Sequence, residues 1–160
     1  MPAVTGPAER RYLRVVRASA GYDLVVTAGF CTPWSYPLVH AALSGLGDRL
    51  GLGTLPALEP AQVLYANLLG SIVVVWAVLR LRRPSHRYGG YDGAARALFA
   101  LWQATALAHG FAPVLWPFLA MEVAFGVAEL APLAWSRLRR DAVPADSVEP
   151  AGASDQGVLS

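Results

Sequence analysis

The sequence predicts an all-α membrane protein: four transmembrane helices in a bundle, built as two repeated helical hairpins, with both termini cytoplasmic. Three observations predict it. Residues 22–43, 61–81, 94–111 and 114–135 are apolar stretches, each close to the ~20 residues an α-helix needs to cross ~30 Å of hydrocarbon. The basic charge is all arginine and falls almost wholly on one side of those stretches. The two halves of the chain also share an ordered set of matching residues.

Of the 13 basic residues, Arg10, Arg11, Arg14 and Arg17 precede the first stretch. Arg80, Arg82, Arg83, Arg87 and Arg96 cluster around the connection between the second and third, and Arg137, Arg139 and Arg140 follow the fourth. Only Arg49 falls between the first and second. Short arginine-rich loops stay cytoplasmic, so a division of 12 against 1 predicts a fixed orientation in the plasma (cytoplasmic) membrane and argues against a dual-topology antiparallel dimer. Composition agrees. The 160 residues are 55% hydrophobic and 15% charged, where a soluble domain carries about 25% charged residues. A net charge of +2 and the lack of an aromatic-basic patch exclude nucleic acid as the expected partner. Cys31 is the single cysteine, which excludes an intramolecular disulfide and paired-thiol redox chemistry.

Taken in order, residues 1–21 read as a cytoplasmic N-terminal segment. Residues 1–8 are expected to be disordered, and Glu9–Ala20 to form a short interfacial helix with Arg10, Arg14 and Arg17 on its headgroup face. An arginine-rich lead before an apolar run also fits a signal peptide; Pro33, Pro37 and the repeat favour a retained first span. The transmembrane domain covers residues 22–137. Pro33 and Pro37 are expected to kink or loosen the first span. Ser44–Pro60 reads as a Gly- and Leu-rich outer loop, and His109–Pro113 as a tight turn. Residues 138–160 read as a disordered cytoplasmic tail.

The repeat rests on Gly21-Tyr22-Asp23 and Gly90-Tyr91-Asp92, on Ala28, Phe30 and His40 recurring as Ala97, Phe99 and His109, and on Arg80–Arg83 recurring as Arg137–Arg140. Both units start in the cytoplasm, so the repeat is parallel. Asp23 and Asp92 then stand where an N-cap belongs, with a gate or ion relay as the alternative. Trp116, Trp135, Tyr22 and Tyr91 fall at interfacial depths. In span number and length alone the chain is similar to small four-helix bacterial membrane families such as the DoxX-like proteins.

Glu122 and Glu129 are the polar groups to explain, because an ionisable side chain inside a span is costly and normally faces a partner in the bundle interior. They lie seven residues apart, on one helix face with Gly126 between them. Asn67, Gly70, Ser71 and Val74 form a small and polar stripe on the second span. Two readings stand. In one, Asn67, Ser71, Gln103, Thr27 and a glutamate lock the bundle as a satisfied network. In the other, Asn67, Ser71, Gln103, Glu122 and either His109 or His40 line a ligand pocket in the outer half, with Glu122 and Glu129 as catalytic candidates; a carboxyl in low dielectric favours its neutral form, which makes Glu122 a protonated donor or proton-exchanging group. The histidine and glutamate spacing fits no metal-ligand pattern, and no nucleotide or dinucleotide fingerprint is present, so no metal or cofactor is expected. The functional expectation is a protein that binds or modifies a hydrophobic small molecule in a polar intramembrane pocket. A transporter or channel subunit with glutamate-based proton or cation coupling, and a non-catalytic accessory or assembly subunit, are the alternatives. Expected partners are membrane lipids, the small molecule itself, and a homo-oligomeric copy or another membrane protein.

Overall fold

The structure, a computed structural model, describes residues 6–141 apart from the side chains of residues 137, 140 and 141. Among the described residues it is all-helical, with five α-helices. They are α1 (Pro7–Thr27), α2 (Ser35–Arg49), α3 (Pro60–Arg82), α4 (His86–Ala108) and α5 (Trp116–Asp141). Two segments are long and apolar enough to cross a membrane, Pro60–Arg82 and Pro113–Ser136. The second of these joins α5 to the 3-10 turn Pro113–Leu115 that leads into it. The main packing pairs are α1 with α3 and α4 with α5.

Local chemistry explains the helix ends. Glu59 caps α3 in a capping box with Gln62, followed at once by Pro60, a residue whose missing N–H costs nothing in a first turn. Ser85 caps α4, its hydroxyl accepting from Tyr88 N at 3.2 Å. Gly110, at φ +85°, takes the left-handed conformation that turns the chain between α4 and α5. The tight turn read from His109–Pro113 is therefore present.

Several sequence expectations change. The stretch 22–43 is not one helix: the backbone leaves α1 at Thr27, makes a 3-10 turn through Ala28–Phe30, and resumes as α2 at Ser35. Pro33 is the cause, since it cannot donate to the carbonyl four residues back and its ring displaces the preceding turn. Pro37 is harmless in the first turn of α2. Thr32 restarts the helix, its hydroxyl accepting from Ser35 N at 3.1 Å. α2 then runs past Leu43 to Arg49, which shortens the expected outer loop to residues 50–59.

At the N-terminus, Glu9–Ala20 is not a separate interfacial helix, and Pro7 and Ala8 are helical. α1 runs straight through because nothing between Ala20 and Thr27 breaks it, while Tyr12, Val16, Ser19, Ala20 and Asp23 continue one buried face. Arg10, Arg14 and Arg17 do lie on the exposed side. α5 likewise extends to Asp141, taking residues 138–141 from the expected tail. Residues 1–5 and 142–160 of the terminal segments lie outside the described residues.

The polarity of the molecule is inverted. Its largest fully buried side chains are Arg80, Arg96 and Glu129. Val25, Ile72 and Val75 are 81%, 66% and 70% exposed. In water that arrangement forfeits the main driving force of folding, since apolar burial supplies it. A contiguous apolar exterior marks a surface meant for lipid or a partner.

A buried ion cluster beneath a cavity

Four helices each bring a pair of groups to one level. Ser19 and Asp23 of α1, Trp76 and Arg80 of α3, and Asp92 and Arg96 of α4 are each four residues apart, the spacing that stacks two side chains on one helix face. Glu122 and Glu129 of α5 are two turns apart. Gly93 lets α4 and α5 meet closely: a Cβ there would stand 2.6 Å from Leu130 Cγ. A Cβ on Gly126 would lie 3.4 Å from Arg96 Cβ. Gly126 thus leaves room for Arg96 between the helices, and Gly93 for Leu130.

Arg96 is the hub. Its Nε donates to Asp92 Oδ2 at 3.0 Å, its Nη1 to Glu122 Oε2 at 2.9 Å, and its Nη2 to Asp23 Oδ1 at 2.6 Å and Ser19 Oγ at 2.8 Å. Arg80 bridges the same two aspartates, Nη1 to Asp92 Oδ2 at 2.5 Å and Nη2 to Asp23 Oδ2. Trp76 Nε1 donates to the remaining oxygen of Asp92 at 2.8 Å. Ser19 accepts from both guanidiniums and donates to Asp92 at 3.0 Å. Charge-assisted bonds of this kind are the strong ones, and desolvation makes each partner depend on the others. Phe125 and Trp76 lie under the guanidiniums of Arg96 and Arg80, at 5.1 and 5.6 Å from ring centroid to Cζ.

Glu129 is different. It is fully buried, its nearest charged partner atom is Arg96 Nε at 4.0 Å, and neither carboxyl oxygen has a hydrogen-bond partner. Tyr12 OH is buried and unpartnered as well, with its ring stacked on His86 at 4.4 Å. Tyr12 also lines a smaller cavity of about 530 Å³ together with Ala128 and Pro132.

On the other side of the cluster lies a cavity of about 860 Å³. Asp23, Asp92, Arg96 and Glu122 form its polar floor, and side chains such as Phe30, Val73, Phe99 and Phe118 its walls. Of the sequence-predicted site residues, Glu122 and Gln103 face this cavity, and so does His40. The others do not. Ser71 is exposed, and Asn67 is half-buried outside the lining with its Oδ1 unpartnered. His109 is exposed on the turn, its Nδ1 2.8 Å from Thr105 O.

The aspartates of the repeated Gly-Tyr-Asp are not N-caps. The caps are Gly6 and Ser85, and Asp23 and Asp92 lie well inside their helices, turned toward arginines. Sequence reading missed Arg80 and Arg96 as site residues because arginine at the end of an apolar stretch signals topology. The Asp92–Arg96 spacing of four, a charge pair that shares one helix face, was the available sign. No protein family, curated protein or solved structure matches the chain.

Proposed function

We propose that the chain is a four-crossing protein of the plasma membrane, with both termini cytoplasmic, whose interior cavity binds or modifies a hydrophobic small molecule carrying a polar head. The observation that carries this reading is the inverted polarity: an apolar exterior around a cavity that is apolar on its walls and charged on its floor. α1 and α4 fall short as spans by hydropathy because of their charges. The deepest of those, Asp23, Asp92 and Arg96, are neutralised against one another inside, so they do not argue against crossing. The first crossing is then composite, made by the end of α1 and by α2 in series. Two hairpins of duplicated origin fit the pairing of α1 with α3 and α4 with α5, and the convergence of Asp23 and Asp92 on the same two arginines.

Topology is tested by replacing Cys31 with Ser and placing single cysteines at the exposed positions Arg83 and His109. A membrane-impermeant maleimide applied to intact cells is expected to label the second and not the first. Labelling of both or neither, in a protein retained by the membrane after alkaline washing, removes the orientation. The ligand reading is tested by purifying wild type and Glu122→Gln in lipid nanodiscs and comparing the small molecules they retain by mass spectrometry. A molecule held stoichiometrically by wild type and lost from the variant is the expected result; identical extracts end the reading for Glu122.

A second reading, proton or cation coupling, is favoured by Glu129. It stands behind the ion cluster with no hydrogen bond and only a 4.0 Å contact to Arg96, next in sequence to Ala128 on the wall of the smaller cavity. Proteoliposomes loaded with a pH-sensitive dye test it: flux above that of empty liposomes, abolished by Glu129→Gln, is expected if the reading is right.

A further inference from the structure

We propose that the cavity selects amphiphiles whose polar head is a protonated amine. The proposal rests on the reading of the cavity as a ligand site and names the class of ligand. It comes from an inventory of the floor. Trp76 Nε1 is spent on Asp92, and every nitrogen of Arg96 already donates within the cluster. An arriving carboxylate, sulfonate or phosphate meets a guanidinium already shared among three carboxylates, with a single Nη1 hydrogen to spare. Arg80, whose Nε has no partner, lies outside the lining. Acceptors are left over instead. Glu122 binds Arg96 through Oε2 alone, and Gln103 Oε1 has no partner; both residues line the cavity.

Charge points the same way. Three carboxylates, Asp23, Asp92 and Glu122, share the floor with one guanidinium. Adding Arg80 behind it leaves three ion-paired carboxylates against two arginines. A cation entering from the cavity side relieves that imbalance, whereas an anion deepens it. Aromatic rings close by, including Phe99 and Phe118, offer faces that attract an ammonium. An apolar body on the ligand matches the rest of the wall.

The test uses the full chain in zwitterionic nanodiscs and three probes of one skeleton: 4-phenylbutylamine, 4-phenylbutanol and 4-phenylbutyrate. Equilibrium binding is measured against empty nanodiscs at pH 7. The amine is expected to bind at least tenfold tighter than the alcohol, with the acid weakest. Glu122→Gln is expected to weaken the amine about tenfold and to leave the alcohol within twofold. Alcohol or acid binding as tightly as the amine overturns the amine proposal and leaves the cavity reading standing. If no probe binds above empty nanodiscs, the cavity reading falls and the proposal with it. The wild-type series decides between these outcomes even if the variant does not fold.

Discussion

At the scale of single residues, the stability of the interior turns on which charges have partners. Arg96 hydrogen-bonds three carboxylates, so Arg96→Ala strips Glu122 of its counter-charge and leaves both aspartates to Arg80 alone; it is expected to cost about 3–5 kcal/mol, read as a lowered unfolding midpoint in detergent. Glu122→Gln removes one charge-assisted bond and is expected to cost about 1.5–3 kcal/mol. Glu129→Gln removes an acid with no hydrogen-bond partner, and its midpoint is expected at or above that of wild type. A midpoint for Glu129→Gln as low as that of Arg96→Ala would show that the acid has a partner essential to the fold. The glutamates were legible in the sequence because a lone acid in an apolar run stands out. Their counter-charges were not: Arg80 and Arg96 sit at the margins of apolar stretches, where arginine is ordinary, and only the folded packing turns them inward.

The helices were more legible than their joints. α3, the α4–α5 turn and most of α5 follow from apolar length bounded by Pro, Gly and Ser. The break at Ala28–Trp34 was expected as a kink at Pro33; its extent was not, because whether a proline bends or ends a helix depends on what packs beside it. Here the 3-10 turn lies against α3, and a Cβ on Gly70 would be 2.8 Å from Phe30. Glycine shows how the matched halves differ in packing. Gly21, of the first Gly-Tyr-Asp, has nothing near its missing Cβ, so Gly21→Ala is expected to stabilise by about 0.5–1 kcal/mol through helix propensity. Gly93 stands against Leu130, and Gly93→Ala is expected to destabilise by about 1–3 kcal/mol as α4 and α5 are forced apart. Thermal melts of the two variants in one detergent check both signs.

For the molecule as a whole, the all-helical class and the membrane-compatible helices were readable from composition and periodicity, while the inward turn of the charges required the fold. That turn bears on how the protein is made. Asp23 leaves the ribosome well before Arg80 and Arg96, the residues that neutralise it. An unpaired charged residue in a span costs up to about 2.5–3.5 kcal/mol on insertion scales, less toward the span's end. On the proposed topology the early intermediate carries an uncompensated acid until α3 brings Arg80 and α4 brings Arg96 to Asp23. The cluster ties the first hairpin to the second, since Arg96 of α4 reaches Asp23 of α1. A chain ending at Arg83 keeps Arg80 but lacks Arg96, and is expected to be degraded in pulse-chase faster than one ending at Asp141. Equal lifetimes for the two would show that the first hairpin settles without the second.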